Sequence, residues 1–352
     1  MPSLTTRLDR VCAYMAPKAG APLEPTVIAR RPPGKHDVLI EIRYSGICHT
    51  DLDQVRGDWG QGIYPMVPGH EIAGVVAAVG EGVTRHAVGD RVGVGCYVES
   101  CGSCTNCAAD AEQFCPRMTS TYNDVGADGR PTYGGYSTRI VVDERHVLRL
   151  PAELPLHRAA PLLCAGVTMY APLRRWRVRR GTRVAIVGLG GLGHLGVRLA
   201  RAMDAQVTLL SGSPRKEADA RRLGAEHFHV LGGAEDFAPL AGSYDLILNT
   251  APARVDQDAY LSLLAIDGVL VHLGIAEAPA SVGPFSLVYG RKAVAGSMIG
   301  GLRETQEALD FCGGAGIGAE VELIDAAHVN EAHARMEAGD VRYRFVIDAA
   351  TF

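Results

Sequence analysis

The pattern of apolar and polar positions changes period once along the chain, near residue 156. Before that point apolar residues come in short runs broken by tight turns. Val38-Leu39-Ile40-Glu41-Ile42-Arg43-Tyr44 is the clearest strand, and Ser45-Gly46 ends it. Residues 11–45 otherwise read as short strands and turns. Ile72 to Val79 and Arg91 to Val98 predict two further strands, punctuated by Gly80-Glu81-Gly82 and Gly89-Asp90. A cysteine-rich loop, 99–118, precedes Gly134-Gly135 and the strand-like Tyr136 to Val142. This half therefore predicts a strand-rich domain with tight turns, as in a partly closed β-barrel.

Beyond 156 the spacing becomes helical and then alternates. Leu156 to Met169 is apolar with helical spacing, and Arg174 to Arg180 is a basic run around Trp176. That run reads as a solvated helix end; a nucleic-acid patch would need more extended basicity. From residue 183, short β runs (Val184 to Val187, Val207 to Leu210, Tyr244 to Leu248, Val269 to Leu273) alternate with helical segments such as Gly193 to Met203 and Pro214 to Leu223. Such alternation predicts a parallel sheet wrapped by helices. The tail carries helix candidates at Glu304 to Cys312 and near Asn330 to Ala338, then a terminal strand, Arg342 to Asp348.

Composition narrows the class without changing this picture. A chain of 352 residues suggests two domains. With 47% apolar and 21% charged residues it reads as an ordinary globular protein, and a net charge of -4 offers no general attraction to nucleic acid or anionic membrane. No apolar run is long enough to span a bilayer, and Met1 to Arg10 lacks the apolar core of a secretory signal. The expected location is the reducing cytoplasm, where nine cysteines serve as ligands, core residues or reactive thiols rather than disulfides.

Three motifs carry chemistry. Gly188-Leu189-Gly190-Gly191-Leu192-Gly193 follows a β run directly and opens a helix, the context a dinucleotide-binding turn requires. The first glycine makes the turn, the second lets backbone approach a pyrophosphate, and the third lets helix pack on strand. The end of the next strand reads Ser211-Gly212-Ser213-Pro214-Arg215-Lys216. It has no carboxylate for a ribose 2′-hydroxyl; its hydroxyls and cations suit a 2′-phosphate, so NADP(H) is expected over NAD(H). A helix start capped by Ser213, without cofactor selectivity, is the bland alternative.

Cys101, Cys104, Cys107 and Cys115 can close a tetrahedron of thiolates around zinc, a site that staples a loop and does no chemistry. An iron–sulfur cluster or a redox disulfide pair would use the same residues. Elsewhere, Cys48-His49-Thr50-Asp51 and Gly69-His70-Glu71 place a thiol and an imidazole about twenty residues apart. Cys164, where the two patterns meet, offers a third ligand; taken alone, it reads as a core cysteine.

In this order the motifs resemble those of the zinc-dependent medium-chain alcohol dehydrogenases, and within them the cinnamyl alcohol dehydrogenases and bacterial NADP-dependent aldehyde reductases. The resemblance runs through Gly46 to Asp51, Pro68 to Glu71, Gly89 to Gly95, the four-cysteine loop, Leu163 to Gly166, Gly188 to His194, Ala295 to Gly301 and Gly339 to Asp348. It implies an α/β protein: a GroES-like, partly closed β-barrel catalytic domain from residues 1–156 and 299–352, with a Rossmann doubly wound parallel-sheet domain, 157–298, inserted between them. It implies catalytic zinc on Cys48, His70 and Cys164, the two-thiolate, one-histidine set of alcohol dehydrogenases, with Glu71 as an occasional ligand. Asp51 would hold the second nitrogen of His70.

The implied reaction is hydride transfer between NADP(H) and an aldehyde or primary alcohol, with zinc polarising the oxygen and Thr50 handing over a proton. Cofactor contacts are implied for His49, Thr168, Gly188, Gly190, Gly191, Leu192, Gly193, Ser211, Gly212, Ser213, Arg215, Lys216, Thr250, Ser297, Ile299 and Arg344. Trp59, Tyr97, Met118, Tyr122 and Ile299 are the implied pocket walls, suited to aromatic or medium-chain aldehydes. Relatives are mostly homodimers joined through their Rossmann sheets. One departure stands out: relatives often end the proton relay with a histidine where this chain has Asp53. Asp53 serves in its place, or solvent enters by another path, or the relay matters less here, as in a reductase of C=N or C=C bonds; the bland alternative is an exposed turn residue. A nucleotide-binding protein without catalysis is the remaining class.

Overall fold

A computed structural model describes residues 9–251, 255–275 and 281–352. The stretch 1–8, which contributes most of the segment read above as lacking a secretory signal, lies outside the described residues. The chain divides into two compact units: Met1–Val167 with Gly300–Phe352, and Thr168–Ile299. No described helix is long and apolar enough to cross a membrane.

The first unit is built on a largely antiparallel sheet, seven-stranded among the described residues. Its strands run in the order Val321–Asp325, Arg344–Asp348, Asp37–Gly46, Ile72–Val79, Arg91–Val94, Leu148–Arg149, with Arg139–Asp143 also pairing on Asp37–Gly46. The strand predicted along 38–44 buries alternate residues, Val38, Ile40 and Ile42, together with Val76, Val92 and Ile140 in one core. The expected strand from Arg91 to Val98 is instead two, Arg91–Val94 and Tyr97–Glu99. Gly95 lies at the break, where an added Cβ would come within 3.0 Å of the Leu163 carbonyl.

The helix expected over Leu156 to Met169 also breaks. An α turn (Leu156–Ala159) tightens into a 3-10 turn (Ala160–Leu163), and a new helix, Ala165–Arg175, begins after Cys164. Pro161 has no N–H to continue the ladder, and Cys164 leaves helical geometry at φ -124°. The bend sets the Cys164 thiol apart from the helix that follows it.

The second unit holds a parallel sheet, six-stranded among the described residues, in the order His227–Val230, Gln206–Ser211, Arg183–Val187, Tyr244–Asn249, Leu264–His272, Ala293–Gly296. This is the doubly wound order in which the chain reverses direction beside its first strand, leaving a crevice at the carboxyl ends of Arg183–Val187 and Tyr244–Asn249. Gly188 and Thr250 follow those two strands directly.

Candidate active site and metal centres

The helix His49–Arg56 starts at Cys48, and its third residue turns back to cap it: Asp51 Oδ2 accepts the Cys48 N–H at 2.9 Å. Asp51 is fully buried, and its other oxygen accepts the Gly69 N–H at 3.1 Å and lies 3.1 Å from His70 Nδ1. One carboxylate thus ties both ligand-bearing turns together. It commits Nδ1 of His70 and leaves Nε2 for a metal.

Cys48, His70, Glu71 and Cys164 bring one donor atom each to within 4.8 Å of one another. The Tyr122 ring stacks on His70 at 5.8 Å. Glu71 is fully buried and pairs with the Arg344 guanidinium, while its second oxygen has no hydrogen-bond partner. Burial pushes the Glu71 carboxyl up to about 7 against the pull of Arg344. The hydrogen bond from the Cys164 thiol, with help from Arg344, holds Cys48 well below the usual thiol range. Burial works against a charged His70, yet Asp51, with Cys96 and Cys48, outweighs it and lifts the imidazole above its usual value; a metal would displace that proton. Two soft sulfurs and one imidazole fit catalytic zinc with the fourth position open, beside a carboxylate whose orphaned oxygen could fill it.

The four-cysteine loop fits a different zinc. Sγ of Cys107 lies 3.5 Å from that of Cys104 and 3.9 Å from that of Cys101. Corners of a tetrahedron about 2.3 Å from a central zinc lie about 3.8 Å apart, whereas a disulfide needs about 2.05 Å. All four sulfurs fall within 4.8 Å, too close to surround a multi-iron cluster. Backbone N–H groups of Ser103 and Cys104 point at the Cys101 sulfur and lower its pKa to about 5.

In the second unit, Gly188 has φ +90° and a Cβ at Gly193 would lie 2.0 Å from the Gly188 carbonyl, so both positions require glycine. A Cβ at Gly190 meets nothing within 4 Å; the backbone there faces open space, as close approach of a pyrophosphate needs. Gly191 and Leu192 complete the turn, and Thr250 Oγ1 donates to Val187 O at 2.7 Å beside it. Ser211 Oγ and Ser213 bond each other across exposed Gly212, Arg215 is exposed, and Lys216 Nζ donates to Leu189 O at 2.9 Å. Lys216 thereby joins the hydroxyl-rich turn to the glycine turn. Thr168 is buried on its helix, Ser297 N–H donates to His272 O, and Ile299 holds φ +38°, a conformation β-branched residues rarely adopt.

Other expected residues are dispersed. Thr50 and Asp53 share the helix with Asp51; both are half-buried, and His49 is exposed with Nε2 3.9 Å from Asp53 Oδ1. Trp59 is exposed and Met118 half-buried. Tyr97 is buried with its hydroxyl donated to Gly300 O at 3.2 Å, which packs it into the body of the first unit. Arg344, expected on cofactor phosphates, is buried with its guanidinium on Glu71. Sequence reasoning missed that pairing, and also Tyr136, whose hydroxyl reaches Asp51, and His333, which reaches Tyr136.

Residues 34–152 match the alcohol dehydrogenase GroES-like domain, and residues 191–313 match the zinc-binding dehydrogenase family. The chain is 55% identical over 342 residues to NADP-dependent alcohol dehydrogenase C of Mycobacterium bovis, covering 97% of this chain and 99% of that protein. It is 49% identical over 349 residues to the aldehyde reductase YahK of Escherichia coli, covering 98% and 99%. Among solved structures, CAD from Helicobacter pylori complexed with NADP(H) superposes with a TM-score of 0.91 at 38% identity, covering 97% of this chain and 98% of that one. The chain belongs to the zinc-dependent medium-chain alcohol dehydrogenase family.

Proposed function

We propose that this protein is an NADP(H)-dependent, zinc-requiring alcohol dehydrogenase or aldehyde reductase acting on aromatic or medium-chain aldehydes. One observation carries the reading: a two-thiol, one-imidazole, one-carboxylate cluster whose histidine is held by Asp51. Bound zinc supplies a Lewis acid for the carbonyl oxygen, and bound NADPH supplies the hydride. The protein's part is positional. Asp51 fixes the tautomer of His70, and Arg344 supplies the counter-charge to Glu71. Thr50 donates a proton to the substrate oxygen as that oxygen gains charge, and Asp53 resupplies it through the same helix turn. Residues 188–193 hold the diphosphate. Ser211, Ser213, Arg215 and Lys216 hold the 2′-phosphate, with Thr250 beside the turn. Thr168, Ser297 and Ile299 line the nicotinamide. NADPH consumption with a panel of aromatic and aliphatic aldehydes and cyclic imines, with and without chelator, tests the reading. Chelator-sensitive aldehyde turnover is expected; turnover of imines alone would replace it with a C=N reductase, and equal use of NADH would remove the 2′-phosphate assignment.

The protein acts in the cytoplasm on this reading, since both clusters need thiolates and therefore reducing conditions. It also acts as a homodimer. Among the described residues the Ala293–Gly296 strand is the last in its sheet, and Val294, Phe285, Val288 and Tyr289 around it are 38%, 74%, 72% and 74% exposed. An open edge flanked by apolar side chains calls for a partner, and a second copy offers the same edge. Sedimentation of the wild type should give a dimer and Val294→Lys a monomer; a wild type that sediments as a monomer removes this part.

A further inference from the structure

Asp51 gathers four donors. Three belong to the metal-binding turns themselves: Cys48 N–H, Gly69 N–H and His70 Nδ1. The fourth does not: the Tyr136 hydroxyl donates to Oδ2 at 3.2 Å from 85 residues away. Tyr136 is completely buried, and its backbone is laid against the turn that carries His70. Gly134 N–H donates to Val67 O at 2.7 Å, Gly135 N–H to Gly69 O at 2.8 Å and Tyr136 N–H to Pro68 O at 2.9 Å. A Cβ at Gly134 would lie 2.3 Å from Gly69 O, and one at Gly69 would lie 2.7 Å from the Tyr136 ring. Glycine on both sides is what lets the two backbones approach. The strap is anchored in turn by Arg30, whose guanidinium donates to the carbonyls of Tyr133, Gly134 and Arg139.

The network goes one residue further. A phenol that donates its proton to Asp51 can still accept, and His333 Nε2 lies 3.4 Å from the Tyr136 oxygen. His333, on the helix Val329–Glu337, is 7% exposed, so its ring nitrogen meets Tyr136 rather than water. The order is His333 to Tyr136 to Asp51, with His70 donating to Asp51 from the other side.

We infer that Tyr136 and His333 are positioning residues for the catalytic zinc, acting through Asp51 on His70 and Cys48. The inference rests on the zinc reading above. In a dry site a carboxylate short of one donor is free to rotate, and rotation loosens the imidazole it orients. Partners one shell out from a metal typically change its affinity roughly 10- to 100-fold when removed.

Release of zinc from the full-length holoenzyme to a chromogenic chelator tests this without any activity measurement. The phase missing from Cys164→Ser belongs to the catalytic cluster. Tyr136→Phe should speed that phase roughly tenfold and leave the four-cysteine phase unchanged. His333→Gln, which keeps an N–H donor, should stay within about twofold of wild type, and His333→Leu should exceed it. An unchanged catalytic phase in Tyr136→Phe, or equal acceleration of both phases, overturns the inference, because general loosening of the core would touch both sites. Should Tyr136→Phe fail to fold, equal rates in His333→Gln and His333→Leu overturn it alone. A wild-type protein whose zinc content lacks the Cys164-dependent ion overturns the zinc reading and the inference together.

Discussion

The two metal clusters share one unit of the protein and much of their ligand chemistry, yet they are built in opposite ways. The four-cysteine site takes all its donors from residues 101–115, and its supporting contacts are equally local: N–H groups of Cys101, Ser103, Cys104, Cys107 and Arg117 point at sulfurs a few residues away or across the same loop. The other cluster takes donors from three distant segments, and its supports come from farther still: Tyr136, His333 and Arg344. A locally built set closes on its ion and leaves nothing for a substrate. A set assembled by the tertiary fold can leave one position open and keep a carboxylate, Glu71, that has both a counter-charge and an orphaned oxygen. The difference separates a zinc that stabilises from a zinc that reacts.

The largest test of this division is Cys164→Ser. It should remove one zinc per chain and lower kcat/KM more than about 1,000-fold, equivalent to roughly 4 kcal/mol of transition-state stabilisation. Metal analysis beside kinetics checks it, with the melting temperature shifting by only a few degrees. A protein that kept both zincs would break the comparison at its first step. Cys107→Ser should do the reverse. Losing a structural zinc costs several kcal/mol, and at about 2–4 °C per kcal/mol the melting temperature should fall by roughly 10 °C. The molecules still folded should keep most of their activity per catalytic zinc. Equal loss of activity would show that the loop does more than staple.

Asp51→Asn comes next. It replaces a charged acceptor by a neutral amide at the point where Cys48, Gly69, His70 and Tyr136 meet. Zinc affinity at the catalytic cluster should drop roughly 10- to 100-fold, with the four-cysteine site untouched, as read by competition with a chelator of known affinity. A change below about twofold would mean that the ligand turns hold themselves.

These differences also explain what was legible in advance. The fold class was readable because the hydrophobic period itself switches near residue 156 and a glycine turn sits in its strand–helix context. The four-cysteine site was readable because its spacing is its geometry. Several strands escaped notice, among them His227–Val230, whose apolar residues are separated by histidines; Ala293–Gly296, made mostly of small residues; Val321–Asp325, interrupted by carboxylates; and the two-residue Leu148–Arg149. The bend at Cys164 was hidden because Pro161 and the apolar residues beside it suit a continuous helix as well as a broken one. Tyr136, His333 and the Glu71–Arg344 pair left no local trace, since their partners lie 85, 197 and 273 residues away. Gly134-Gly135 was the nearest signal, and it read only as the lead into a strand.

The smallest effect concerns Asp53, which lies on the same helix as Asp51 but belongs to neither metal set. Burial pushes its carboxyl above the usual value, and nearby His49 pulls the other way. Reduction of an aldehyde consumes a proton at oxygen, so a relay ending on Asp53 delivers only while that carboxyl is protonated. The reductive kcat should therefore fall as pH rises through the elevated pKa of Asp53, and the oxidative kcat should rise through the same range. Asp53→Asn cannot exchange a proton, so both limbs should flatten, with a change in rate near neutrality of only a few-fold, about 1 kcal/mol or less. Asp53→His should instead move the limb toward pH 6.5, the ordinary range of an imidazole. Profiles of both variants that superimpose on the wild type would take Asp53 out of the relay and leave Thr50 to exchange directly with water.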